Sequence, residues 1–192
     1  TDIDLPQGKF IIVDPSADKF RGDAVAIGLF EVYDTIPALR EIVEERLSPG
    51  NTIRTALLMA LKSGCRLIAV ESTAFQYTLL YWFDTIMTEM GITGIQVVDV
   101  YTGFHSKNAR IMTMLKSLTA GEIIIHPTVR SQILDQISNW NPMKRDNVDG
   151  LLDLLSYAGK TIELYSYAME TSMMLQIEGP AGAGVPEDNH AF

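Results

Sequence analysis

Two short apolar runs in this chain end on an acid. Phe10-Ile11-Ile12-Val13 leads into Asp14, with Pro15 directly behind, and Leu67-Ile68-Ala69-Val70 leads into Glu71. A third acidic stretch, Asp146-Asn147-Val148-Asp149, precedes a leucine-rich segment. Singly, each has an ordinary explanation. Asp-Pro ends a strand in a turn, a glutamate at a helix start is favoured by the helix dipole, and Asp146 caps a helix that has Asp149 in its first turn. Together they form a candidate donor set. Carboxylates gathered without a compensating base repel one another, and divalent cations relieve that repulsion. An all-oxygen set selects Mg²⁺ or Mn²⁺. Two such ions, about 3.5–4 Å apart, activate a water and stabilise the leaving oxygen of a phosphodiester. The chemistry these residues suit is metal-assisted phosphodiester hydrolysis.

The acids must come from different elements, because the ions have to sit between them. Residues 10–13 are apolar, β-branched and of strand length, and Pro15 denies the next ladder hydrogen bond. Residues 23–32 give a second strand, close enough to pair with the first as an antiparallel hairpin. Residues 39–47 fit a charged, alternating edge strand or a helical turn, and an outer third strand is the expectation. After the Ser48-Pro49-Gly50-Asn51 break, Asn51 or Thr52 is expected to cap a helix that runs to Ser63 and stops at Gly64. Residues 67–70 form the fourth strand. If it lies parallel beside the first, Asp14 and Glu71 finish at one level, at the sheet edge where α/β proteins place their chemistry. Then follow a helix from Ser72 or Thr73 to Met90 and a strand over 95–101. A helix capped by His105 or Ser106 ends near Leu118, and a short strand spans 122–126. A helix over 128–139, a basic loop from Trp140 to Arg145 and a long helix from Asp146 to Gln176 complete the reading. Asp146 and Asp149, three apart, would share a face at the start of that last helix, and Asp153 one turn later reads as solvated or structural.

This order predicts an α/β fold with a central mixed sheet of five or more strands, its first three antiparallel, flanked by helices on both faces. The expected division is an N-terminal linker over 1–8, one domain over 9–176 and a flexible Gly/Ala/Pro-rich tail over 177–192. A length of 192 residues suffices for one well-buried core. The chain opens on Thr, which suggests a fragment or processed product. No apolar run approaches the ~20 residues that span a bilayer, and no secretory signal is visible. The single cysteine, Cys65, forms no intramolecular disulfide and reads as a buried structural thiol. Fifteen basic residues against twenty-four acidic ones leave a net charge of −9. That argues against a strong freestanding nucleic-acid binder and leaves room for an enzyme that meets DNA through divalent metals or a local patch.

The order Asp on the first strand, Glu on the fourth and Asp-x-x-Asp before the last helix resembles the RNase H-like nucleases. Val13-Asp14-Pro15 with Gly22-Asp23, Val70-Glu71-Ser72, Lys107-Asn108-Ala109-Arg110-Ile111 and Asp146-Asn147-Val148-Asp149-Gly150 most resemble the C-terminal nuclease domain of the large terminase subunit of tailed bacteriophages. The likeness covers roughly residues 9–170. It implies a metal-dependent endonuclease that cuts concatemeric double-stranded DNA during packaging, acting at the procapsid in the host cytoplasm. Asp14, Glu71, Asp146 and Asp149 are then the expected catalytic residues and metal ligands, for Mg²⁺ or Mn²⁺, with two ions during catalysis. Asp23 is a nearby acid that could assist. The implied partners are double-stranded DNA, a terminase ATPase domain in the same full-length chain, the portal and the small terminase subunit. The match departs from the family pattern at Asn147, where many members carry a second adjacent acid, and at Gly150, where alanine is usual. Two other readings stand beside it: a Holliday-junction resolvase-like nuclease, and a non-catalytic RNase H-like module that docks a portal or motor partner.

Lys107 and Arg110 occupy a first helical turn, where basic residues oppose the dipole. Phosphate contact would account for them. Lys144 and Arg145, just before Asp146, are further candidates for DNA binding. His105 and His126 have no partner at metal-ligand spacing and read as capping or loop histidines. Ala158-Gly159-Lys160-Thr161 imitates the end of a phosphate-binding loop, but Leu154 stands where the motif requires glycine.

Overall fold

A computed structural model describes residues 6–15, 24–71, 76–101, 103, 105–144 and 146–166, the side chains of 76–78 excepted. Asp23, Ser72, Thr73, Arg145, the start of the expected linker and the expected tail lie outside the described residues.

Apolar residues with both faces covered build the first strand, β1 (Gly8–Asp14), in which Phe10 to Val13 are fully buried. It pairs antiparallel with β2 (Val25–Tyr33), which pairs antiparallel with β3 (Ile36–Glu45). The expected third strand starts earlier than residue 39 because Asp34 and Thr35, both at positive φ, close a two-residue hairpin. Ser48 rather than Asn51 or Thr52 caps α1 (Pro49–Ser63): its hydroxyl accepts from Asn51 N–H, and Pro49 follows it. Gly64, left-handed at φ 69°, stops the helix. β4 (Leu67–Glu71) lies parallel to β1, and α2 (Gln76–Glu89) connects it to β5 (Gln96–Val100). Ser106 caps α3 (Lys107–Ala120). β6 (Ile124–Ile125) pairs parallel with β3, and α4 (Arg130–Asn139) follows. α5 (Gly150–Ser156) pauses at Tyr157, and the chain is helical again over 158–166.

The six strands run in the order β5-β4-β1-β2-β3-β6. Helices α1 and α2 cover one face through Ile53, Leu57, Phe83 and Ile86. Ile111, Ile133, Leu151 and Leu154, from α3, α4 and α5, cover the other. This is the expected RNase H-like architecture: a mixed sheet, antiparallel over its first three strands, between two helical layers.

Side-chain alternation decides which layer meets the acids. Phe10 and Ile12 belong to the core under α3–α5, as do Leu67 and Ala69, so Asp14 and Glu71 point to that side. α5 approaches β2 closely there. A Cβ on Gly28 would stand 2.7 Å from Leu154 Cδ2, so any larger residue here would displace the Leu154 side chain.

Candidate functional site

Val13 and Val70 are register partners on β1 and β4, so Asp14 and Glu71 leave adjacent parallel strands at the same level. Each is half-buried, and their side chains share a hydrogen bond. Burial, then the charges of Glu71 and Asp153, hold the Asp14 carboxyl well above the usual carboxylate range.

The third contribution comes from α5. Asp149 is its N-cap residue but makes no side-chain cap. Its Oδ1 instead accepts from Lys107 Nζ at 2.7 Å. Asp153, 5% exposed, lies one turn on, with Oδ1 2.7 Å from Arg110 Nη2 and Oδ2 3.5 Å from Lys107 Nζ. Burial pulls the Lys107 ammonium down, but Asp149, Asp153 and Asp14 outweigh it and raise the group overall. Arg110 behaves likewise, with Asp153 its main support. Tyr157, fully buried, completes the arrangement. Its hydroxyl accepts from Arg110 Nη2 at 2.9 Å and hydrogen-bonds Glu71, and burial with the surrounding acids pushes its pKa far up. The Arg110 guanidinium also lies over the Tyr157 ring.

The sequence-predicted residues therefore divide. Asp14, Glu71, Asp149 and Lys107 come together. Arg110 joins them facing inward, its side chain 15% exposed and held by Asp153, Tyr157 and the His105 carbonyl, where DNA contact was expected. Asp146 does not join them. The helix begins at Gly150 rather than Asp146, because Asn147 folds the preceding residues into a loop. Its Oδ1 accepts from Asn141 N–H and its Nδ2 donates to the Asn141 and Lys144 carbonyls. Asp146 is exposed on that loop, outside the Lys107 and Arg110 ion pairs that hold Asp149 and Asp153. Lys144 is exposed on the same loop, which Asn108 ties to α3 through the Pro142 carbonyl.

Asp153 reads in the sequence as solvated or structural rather than as one of these acids, and Tyr157 escaped the sequence reading. A signal for Asp153 exists: a charge flanked on both sides by Leu-Leu pairs, Leu151-Leu152 and Leu154-Leu155, has no solvated helix face to occupy. A groove of about 440 Å³ beside α3 is lined by Arg110, Thr113, Ser156 and Lys160 but by none of these acids. The charge arrangement, not concavity, therefore marks the site. Thr161 is buried within the helix, its hydroxyl donating to the Tyr157 carbonyl, so Ala158–Thr161 is no phosphate-binding loop. His126 is a loop histidine bonded to Thr128 and Arg40, and Cys65 is buried.

The donors suit a hard divalent cation in kind: they are carboxylate oxygens throughout. They also suit it in charge, since four carboxylates face the two cations Lys107 and Arg110. Among the described residues no three acidic, histidine or cysteine side chains already converge on one ion position. Lys107 holds Asp149 and Asp153 instead.

No family model matches the chain, and no curated protein matches its sequence. Solved structures do. The human cytomegalovirus terminase nuclease domain is similar over 81% of this chain and 83% of its own, at TM-score 0.58 and 12% identity. The same viral domain has also been solved Mn-soaked with an inhibitor bound. A large terminase from a thermophilic bacteriophage is similar over 82% of this chain at TM-score 0.57 and 13% identity, this chain spanning 40% of its length. A variant from the large terminase subunit of bacteriophage sf6, solved with calcium, is similar over 79% of this chain and 88% of its own, at TM-score 0.55 and 10% identity. No helix among the described residues is long and apolar enough to cross a membrane. The chain has the RNase H-like fold of viral terminase nuclease domains.

Proposed function

We propose that this chain is a divalent-metal-dependent DNA endonuclease domain of a viral terminase, with Asp14, Glu71, Asp149 and Asp153 as its metal-holding acids. The observation that carries the reading is the Asp14–Glu71 pair, at matched ends of adjacent parallel strands with Asp153 close enough to raise Asp14 further. Carboxylates packed this closely, with Asp14 raised by burial and by its acidic neighbours, mark a place that lacks positive charge. Mg²⁺ or Mn²⁺, two ions in the full reaction, would supply that charge, polarise a scissile phosphate and lower the pKa of a water.

The chain's own residues orient and complete the site. Arg110 holds Asp153 and, through Tyr157, Glu71, so one guanidinium fixes acids from both the sheet and α5. Lys107, its side chain 45% exposed, stands at the mouth, where an ammonium can meet a DNA phosphate. Exposed Lys144, on the loop that Asn108 ties to α3, extends that basic edge, which a chain of net charge −9 needs in order to approach DNA, and Arg145 follows it in sequence. Asp146, exposed on the loop before α5, is not required. The full-length protein would carry an ATPase domain and meet double-stranded DNA, portal and small subunit in the host cytoplasm.

Incubation of the chain with supercoiled plasmid tests the reading. Cleavage in Mn²⁺ or Mg²⁺ that EDTA abolishes is the expected result. No cleavage across a range of salt, with partner binding retained, would replace it with the docking-module reading, which the net charge of −9 and the Lys107–Asp149 closure favour. A preference for four-way junctions over linear duplex would identify a resolvase.

A further inference from the structure

The position of α5 is set from a distance. Asp14 on β1, Ala26 on β2 and Glu44 on β3 are consecutive register partners, one row across three strands. Gly150, the first residue of α5, sits above that row. A Cβ there would stand 3.1 Å from Glu44 Oε1 and 3.9 Å from the Ala26 Cβ. Gln136 of α4, 5% exposed, closes the arrangement. Its Nε2 donates to Glu44 Oε1 and Oε2 at 2.8 and 3.0 Å, and its Oε1 accepts from Leu151 N–H at 3.0 Å.

From this we infer that Gln136 and Glu44 are positioning residues for the acid site, acting through the first turn of α5. The Leu151 N–H is one of the four donors that a helix start leaves without a helical partner. Asp149 does not cap it, being bonded to Lys107. Gln136 supplies the missing acceptor from another helix, and Glu44 fixes the Gln136 amide in the orientation that does so. Asp149 and Asp153 lie two residues on either side of Leu151. The clamp therefore sets their place relative to Asp14, which stands at the other end of the same row. A buried amide with every group engaged holds one geometry. Loss of a group that hydrogen-bonds a metal ligand weakens a site by about 10–100-fold, and a clamp acting through the helix backbone should fall at the lower end of that range.

The inference rests on the metal-site reading, and its test separates the two. Mn²⁺ affinity of the whole chain is measured by calorimetry, beside amide exchange at Leu151, for wild type, Gln136→Met, Gln136→Glu and a double variant that combines Glu44→Gln with Gln136→Glu. Gln136→Met removes both hydrogen-bonding functions, and Gln136→Glu sets a carboxylate against Glu44. The double variant exchanges the two groups: the amide at position 44 donates to the carboxylate at position 136, which still accepts from Leu151 N–H. Both single variants should bind Mn²⁺ about tenfold more weakly and exchange Leu151 faster, with Ile12 protection unchanged. The double variant should recover both. Wild-type affinity in the single variants would overturn the inference alone. Absence of Mn²⁺ binding by wild type would overturn the metal-site reading and this inference with it.

Discussion

Lys107 Nζ lies 2.7 Å from Asp149 Oδ1, so the ammonium occupies a side of the acid cluster that a divalent cation would otherwise serve. The contact links the first turn of α3 to the N-cap of α5. It explains why a lysine tolerates a position unfavourable to its own helix dipole. Lys107→Met leaves Asp149 and Asp153 short of one partner. The metal-free chain should lose about 1 kcal/mol, a modest figure because Lys107 is half exposed. Melts in EDTA and in Mn²⁺ should show the loss in EDTA and a smaller one in Mn²⁺.

Asp14 is expected to trade stability for function. Its folded pKa lies above its unfolded one, so it binds a proton more tightly when folded. Its contribution is complete below about pH 3.9 and is lost as pH rises through the folded pKa. Asp14→Asn removes that loss and should raise the Tm of the EDTA-treated chain at neutral pH by about 3 °C. The same variant should fail to cleave plasmid.

Arg110 and Tyr157 are expected to differ in cost. Arg110→Met strands the buried Asp153 and should destabilise by about 3 kcal/mol, whereas Tyr157→Phe removes only hydroxyl bonds, about 1 kcal/mol. Arg110→Lys should not recover the loss, because an ammonium lacks the planar fork that serves Asp153, Tyr157 and the His105 carbonyl together. Denaturant unfolding of the three variants checks the order.

Gly28 has a role that its place in a central strand conceals. Gly28→Ala would press on Leu154 and lift α5 from β2, costing about 1–3 kcal/mol. Mn²⁺ affinity should fall with it, since α5 carries Asp149 and Asp153. Wild-type stability by chemical denaturation would show that the seat is not tight.

Cys65 should be inert. Burial raises its pKa to about 11, so at pH 8 about one thiol in a thousand is ionised even before access is considered. Reaction with a thiol reagent should follow global unfolding, and a fast native-state reaction would contradict that.

Much of this was legible in the sequence because it was local. An apolar run that stops on an acid announces both a strand and its edge, and Asp14 and Glu71 were found that way. Gly64, at positive φ, ends α1 where expected. What was missed depends on partners far along the chain. Asp153 reads as solvated or structural until Arg110, 43 residues earlier, is set against it. Gln136 has no meaning without Glu44, 92 residues away. The start of α5 was displaced because the Asn147 side chain, invisible to periodicity, holds residues 141–147 as a loop. That displacement moved Asp146 out of the acid cluster.

The account stands on which acids serve the metal, and Mn²⁺-dependent plasmid cleavage by wild type, Glu71→Gln, Asp153→Asn and Asp146→Ala tests it most directly, each variant first checked for folding. Glu71→Gln and Asp153→Asn should lose about 100-fold or more in rate, and Asp146→Ala should stay within about threefold of wild type. Undiminished cleavage by Glu71→Gln, or its abolition by Asp146→Ala with Asp153→Asn active, would contradict the account.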